Sequence, residues 1–342
     1  MSSPSARVTI KDVAAAAGVS KGAVSLAFNH KPGVSEATRE RIFAAARRLG
    51  WSPNSSARSL SRQSADAVGL AICRPARLLG LEPFYMEFIS GIESVLAERD
   101  CSLLLRLVDS LEEEVGLQQR WWREQQIAGS ILVDFHDEDP RISPLQEIGL
   151  PAVAVGHPSL TGGFPSVWTD DAAAVAEAVR YLAVLGHRRI AHVGGPRGLG
   201  HSTIRTTAFE QAMSELGLEH GPHVETGFSG EDGARATRSL LLAGDRPTAI
   251  LYDNDIMAVA GLGVATEMGF SVPDEVSLLA WDDSQLCRLT HPTLTAMSHD
   301  VHGFGAQVAR VLFDVLEERE VTSRPVATPS LVPRASTAPP PS

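Results

Sequence analysis

The 342-residue chain is poor in several things. It has three cysteines, Cys73, Cys101 and Cys287, an odd number with no close pair. That pattern indicates neither a disulfide framework nor a zinc site, and it fits a reducing compartment. No run reaches the ~18 apolar residues a membrane span needs. The N-terminal MSSPSARVTIKD also lacks the apolar core of an export signal. A cytoplasmic location without a membrane partner is expected. The only three lysines are Lys11, Lys21 and Lys31, so nearly every other cation is arginine.

Catalytic motifs are also missing. GGPRGLG, from Gly194 to Gly200, follows an apolar strand pattern but does not have the spacing of a dinucleotide fingerprint. The stretch from Gly227 through Phe228 and Ser229 to Gly230 lacks the second spacing of a nucleophile elbow. His299 and His302 stand three apart without the further ligands of a metal set and read as a solvated helix start. No enzyme activity, cofactor or metal is expected, and no repeat of 20 to 50 residues is visible.

What is present is strongly uneven. The formal net charge is -11, but residues 1–65 hold ten basic and three acidic side chains, a charge of +7, so the remainder carries -18. Such a basic head is drawn to nucleic acid while the acidic bulk is repelled by it. Within the head, Thr9 to Asn29 reads TIKDVAAAAGVSKGAVSLAFN. Thr9 with Asp12 forms a capping-box pattern, and Ile10, Val13, Ala14 and Ala17 recur at helical spacing, which predicts a helix over about 10–16. Gly18 stops it, and Ser20 caps a second helix. On that second helix Val24, Ala27 and Phe28 share one face, while Lys21, Gly22, Ser25, Leu26 and Asn29 share another. Two short helices around a glycine turn form the helix-turn-helix unit, whose second helix enters the DNA major groove. Ser35 caps a third helix whose Ile42, Phe43, Ala46 and Leu49 pack on the first two. Beyond Trp51 and Pro53, NSSARSLS places Ala57 and Leu60 three apart in a segment too short to be a stable helix alone.

From Ala67 the pattern alternates buried strands with amphipathic helices, the sign of parallel sheets covered on both faces. Strands are expected at AVGLAIC, SLLLRLV, GSILVDF, PAVAV, IAHVGG, TAILYD and VSLLAW. The tail from Thr328 is proline-rich and has no heptads, which favours a dimer over a tetramer.

The run from Val8 to Leu70, VTIKDVAAAAGVSKGAVSLAFNHKPGVSEATRERIFAAARRLGWSPNSSARSLSRQSADAVGL, closely resembles the DNA-binding head and hinge of the LacI/GalR family of bacterial transcriptional regulators. Thinner matches extend to the end of the chain. The resemblance implies an all-α helix-turn-helix head plus an α/β periplasmic-binding-protein-like body of two doubly wound parallel-sheet subdomains. The expected division is a head at 1–54, a hinge helix and linker at 55–65, a body at 66–338 and a disordered tail at 339–342. Subdomain one takes about 66–165 and 295–321, and subdomain two about 166–294 and 322–338.

By the same resemblance, Thr9, Ser20, Lys21, Gly22, Ser25, Leu26 and Asn29 face operator DNA, with Ala57 and the minor-groove wedge Leu60 in the hinge. Leu26 stands where many relatives carry Arg or His. Without a donor it is expected to prefer a thymine methyl, hence A·T, at its base pair. A small-molecule effector is expected between the subdomains, contacted by Phe84, Tyr85, Arg205, Phe228, Asn254, Asp255 and Asp282. Leu199, His201 and Thr203 replace frequent Arg or Ser, Ala208 replaces Gly and Trp281 replaces Tyr, which leaves sugar-like and nucleobase-like ligands both open. The function implied is a cytoplasmic, homodimeric, sequence-specific repressor on a pseudopalindromic double-stranded operator. The alternative is a solute-binding protein of a sugar transporter, which shares the body but needs no basic head.

Overall fold

A computed structural model describes residues 8–28, 31–51, 65–80, 82–219 and 221–341. The chain divides into two compact units, one up to residue 66 and one from residue 67.

The first unit holds α1 (Ile10–Ala17), α2 (Lys21–Phe28) and α3 (Glu36–Leu49). Gly18 and Gly50 end α1 and α3 at φ +66° and +63°, a left-handed conformation that a Cβ disfavours. Ser35 Oγ accepts from Thr38 N and starts α3. Val13, Ala14, Val24, Ala27, Ile42, Ala45 and Ala46 form the core. Phe28 meets Phe43 and Trp51 edge-on, so Trp51 closes the core from beyond α3. Arg39 donates to the carbonyls of Ala27 and Lys31, satisfying the C-terminal end of α2. Of the hinge, only Ala65 lies within the described residues.

The second unit contains two six-stranded sheets. The first sheet uses β1 (Ala67–Cys73), β2 (Ser102–Val108), β3 (Gly129–Leu132), β4 (Ala152–Val155), β5 (Ser166–Trp168) and β11 (Arg324–Pro325), in the order β11-β5-β4-β3-β1-β2 and all parallel. The second uses β6 (Ile190–Gly194), β7 (His223–Glu225), β8 (Ala249–Tyr252), β9 (Ser277–Trp281), β10 (Thr295–Ser298) and β12 (Ser330–Val332), in the order β12-β10-β9-β8-β6-β7. Only β12 runs antiparallel to its neighbour. Central strands such as Ile190–Gly194 are buried along their whole length, as a sheet covered on both faces requires.

The helices that cover these sheets are α4 (Ala76–Leu79), α5 (Pro83–Glu98), α6 (Leu111–Arg123), α7 (Ile142–Glu147), α8 (Asp171–Leu185), α9 (Gly200–Glu215), α10 (Gly230–Leu242), α11 (Asp255–Glu267), α12 (Gln285–Leu289) and α13 (Val301–Leu316). Each sheet has an apolar core on both faces: α5 and α13 against α6 on the first sheet, and α10 and α11 against α8 and α9 on the second. Gly91 on α5 and Gly305 on α13 bring those two helices into backbone contact, because a Cβ at either would strike the carbonyl of His302 or Phe88.

Sheet membership corrects three of the expected boundaries. Ser166–Trp168 and Arg324–Pro325 complete the first sheet, whereas Thr295–Ser298 sits inside the second. The chain therefore crosses between sheets after β5, after β10 and after β11. Periodicity missed these strands because two of them are only two and three residues long, and in Thr295–Ser298 hydroxyl residues flank two apolar ones without a longer apolar run. Residues 339–341, expected as disordered tail, are likewise described. Ala338 O accepts from Ser277 Oγ and His187 Nε2, and Pro340 lies where a Cβ on Gly186 would touch it. Ser336, fully buried, bonds Leu278 O and Thr295 N, so hydroxyls between the prolines supply the bonds that the prolines cannot. Among the described residues no helix is long and apolar enough to cross a membrane.

Candidate functional site

In the first unit, Thr9, Ser20, Lys21, Gly22 and Ser25 are exposed and Leu26 is half-buried. Thr9 is engaged locally: its N–H and Oγ–H both donate to Asp12 Oδ2, at 2.8 and 2.7 Å. Those bonds hold the Asp12 carboxyl below its ordinary range. Ser20 Oγ accepts from Ala23 N and caps α2. Leu26 reaches toward Gly33, which explains its partial burial on an otherwise polar face. Asn29, Ala57 and Leu60 lie outside the described residues.

In the second unit, a cavity of about 350 Å³ opens between the two sheets, within the usual size range of small-molecule sites. All seven residues expected to meet an effector line it: Phe84, Tyr85, Arg205, Phe228, Asn254, Asp255 and Asp282. They come from the N-terminal turns of α5 and α9 and from the residues just after β7, β8 and β9. Carboxyl ends of parallel strands are where open α/β sheets present ligand-binding groups. Asp134, Phe228 and Asp282 adopt φ of +51°, +65° and +59°. These are sparsely populated conformations for residues with side chains, and all three line the cavity.

One wall follows the first sheet. Arg74, just after β1, donates from Nε and Nη2 to Asp134 at 2.8 and 3.2 Å and from Nη1 to both oxygens of Glu82. Tyr85 Oη donates to Asp134 Oδ2 at 2.7 Å. Burial favours a protonated Asp134, but the Arg74 guanidinium outweighs it and holds that carboxyl well below its ordinary value. Burial has the upper hand at Glu82, which is shifted upward despite Arg74. The guanidinium also lies 5.3 Å from the Tyr85 ring centre and 5.1 Å from that of Phe228, on the opposite wall.

The other wall follows the second sheet. Arg205 Nε donates to Asp171 Oδ2 at 2.8 Å and Nη1 to Asp253 O at 3.1 Å, with its guanidinium 4.2 Å from the Trp281 ring centre. Trp281 thus serves as a stacking platform for the arginine. Asn254 uses both polar ends structurally: Oδ1 caps α11 by accepting from Met257 N, and Nδ2 donates to Phe228 O. Asp253 accepts from His192 Nε2 at 2.8 Å and from Gly195 N; burial raises it, but His192 and Arg205 bring it down to about 2. His201 stacks on Phe228, and burial, with Arg205 nearby, lowers it to about 4, so it is neutral at pH 7.

Asp255 Oδ2 is buried without a hydrogen-bond partner. Burial, then repulsion from Asp282, raises this carboxyl to about 7. His299, expected on a solvated helix start, is instead buried between Phe84 and Phe304. Its Nε2 is 3.0 Å from Asp282 Oδ1, and its Nδ1 has no partner.

Across the rim, the two halves clasp through two backbone bonds and one side-chain bond. Asp137 N donates to Gly198 O, Gly200 N donates to Phe135 O, and Thr203 Oγ1 donates to Asp137 Oδ2. Sequence reasoning missed Arg74, Glu82, Asp134 and His299. The available signal was their position one to two residues beyond an apolar strand, or in Glu82 the residue before a helix-opening proline.

Comparison with known proteins agrees with both units. Residues 9–54 match the model for bacterial regulatory proteins of the lacI family, and residues 179–337 match a periplasmic binding protein-like domain. The transcriptional regulator CelR of Thermobifida fusca is 31% identical over 90% of this chain and 92% of its own. The chain belongs to the LacI family of bacterial transcriptional regulators. As a LacI-family member it shares its fold with the solved lac repressor dimer bound to operator and an anti-inducer (TM-score 0.87, 25% identity, covering 97% of this chain and 99% of that one). A CelR–cellobiose complex matches at TM-score 0.72 and 29% identity over 96% of this chain and all of that one. Curated relatives are named as a transcriptional regulator and a transcriptional repressor.

Proposed function

We propose that this LacI-family protein is a homodimeric cytoplasmic repressor whose affinity for a pseudopalindromic operator is set by a small molecule in the cleft. The observation that carries the cleft reading is the convergence of seven residues, spread from Phe84 to Asp282, on one cavity. A relative solved with cellobiose favours a sugar over a nucleobase, and one solved as a dimer on its operator favours the dimer. Lys21, Gly22, Ser25 and Leu26 are the base-facing side of α2. Thr9 and Ser20, at the starts of α1 and α2, approach phosphates. Asn29, Ala57 and Leu60 complete the interface in this reading. The basic head favours a regulator over a transporter's solute-binding protein.

Selection of operators from random DNA by the full-length protein tests the DNA half. The expected product is a two-half-site sequence with A·T at the Leu26 position, moving to G·C in Leu26→Arg. No enriched sequence, or a wild-type demand for G·C there, contradicts it. A thermal-shift screen of sugars, polyols and nucleobases tests the ligand half, because a specific ligand raises the unfolding temperature by mass action. Arg205→Ala should abolish the effector's influence on operator binding, and a variant that responds like the wild type excludes the arginine as a ligand contact.

A further inference from the structure

The polar groups of the cleft do not match a neutral or anionic ligand equally well. Arg74 has every nitrogen engaged by Asp134 or Glu82 and lies against two aromatic rings. Arg205 is ion-paired with Asp171. Neither guanidinium is an uncompensated positive charge for a phosphate or carboxylate. The buried cleft atoms without a partner are of the opposite kind. Asp255 is 2% exposed and lines the cavity; the Ser284 hydroxyl is near its carboxyl, but its Oδ2 has no hydrogen-bond partner. His299, with its side chain 7% exposed, is an independent case: its Nε2 lies 3.0 Å from Asp282 Oδ1, and its Nδ1 is buried with no partner. Asp282 meets His299 and repels Asp255, and has no arginine or lysine ion pair among the described residues. Buried acceptors of this kind are costly unless a donor arrives, and a charged donor compensates a carboxylate best.

We propose that the cleft takes a polyhydroxylated ligand carrying a protonated nitrogen, an amino or imino sugar, whose ammonium lies against Asp255 and Asp282 with His299 accepting a further hydrogen bond. This rests on the cleft being the effector site. Hydroxyls alone satisfy the lone pairs, but only the cation offsets the carboxylate charge. Asp255 is then the residue that distinguishes an amine from a hydroxyl at the same ring position, and the aromatic rings hold the sugar face.

The test is calorimetric titration of the full-length protein at pH 7 with matched trios in the gluco, galacto and manno series. Each trio contains the 2-amino sugar, the neutral parent and its 6-phosphate, with 1-deoxynojirimycin as an additional cationic probe. The expected result is that in at least one series the amine binds about tenfold or more tightly than the neutral parent, with the phosphate weaker than both. Asp255→Asn should bring the amine-to-neutral ratio to about one, with thermal unfolding showing that the variant remains folded. A neutral parent that binds as tightly as its amine overturns the proposal but leaves the cleft as an effector site. A phosphate that binds tightest overturns it too. If no probe in any series binds, the proposal and the carbohydrate reading of the cleft fail together.

Discussion

On the wall built from the first sheet, Arg74, Glu82, Asp134 and Tyr85 satisfy one another. On the wall built from the second, Asp255 Oδ2 and His299 Nδ1 are buried with no partner. Both walls bury carboxylates, so burial alone does not distinguish them. The difference is which carboxylates meet a cation: Arg74 meets both Asp134 and Glu82, whereas Arg205 meets Asp171 and no arginine or lysine among the described residues pairs with Asp255 or Asp282. A closed network fixes shape and resists exchange with a ligand, whereas open acceptors leave a demand that an incoming molecule can meet. In the proposed effector site the first wall is accordingly the platform and the second wall the reader.

The largest effect should come from opening the closed wall. Arg74→Ala leaves Asp134 and Glu82 buried without a counter-charge and is expected to destabilise the body by about 3–5 kcal/mol, the scale for breaking a buried ion pair. Urea unfolding at pH 7 measures it. A loss comparable to a surface substitution would mean that the network is not a platform.

A smaller effect, of opposite sign, is expected on the open wall. Asp255 titrates at about 7 in the folded protein, above its ordinary value, so the folded form holds its proton more tightly than the unfolded chain does. Stability from this group is fully present at low pH and is lost as pH rises through 7. Asp255→Asn removes that loss, and its stability advantage over the wild type should grow by about 2 kcal/mol between pH 5 and pH 8. A constant difference across that range would show that the carboxyl is not held protonated. If the cleft takes an amine as proposed, the same substitution should lower amine affinity, a trade of function against stability typical of binding sites.

The smallest effect lies where the walls meet. His201 titrates at about 4, lowered first by burial and then by Arg205, so the folded state rejects a proton that the unfolded chain accepts. Its stability contribution is complete above the ordinary histidine range and falls away as pH drops through 6.5 toward 4. His201→Phe should flatten this acid limb by about 1 kcal/mol between pH 7 and pH 5, followed by thermal unfolding.

This contrast between walls also marks where sequence reasoning stopped. Caps, periodicity and the glycines at 18 and 50 made the three head helices legible, because those signals are local. Long apolar strands were legible for the same reason. Short strands such as Arg324–Pro325 carry too few residues to show a period. Arg74 and Asp134 are 60 residues apart, and nothing near either one announces the other. His299 looked solvated because its neighbours in the chain are polar, and its burial comes from Phe84 and Phe304, supplied by α5 and α13. The seven cleft residues were reached through resemblance to a family. Their convergence on one cavity is a property of the tertiary structure.

The most direct measurement is operator affinity as a function of effector, read by fluorescence anisotropy on DNA selected by the protein itself, for the wild type and Asp282→Asn. The effector is whichever sugar or amino sugar gives the largest thermal shift. The expected result is a wild-type operator dissociation constant that changes about tenfold or more on saturation, the usual scale of allosteric coupling, and a variant that binds operator but needs far more effector to respond. A variant that responds at the wild-type effector concentration would contradict the assignment of the second wall as the reader.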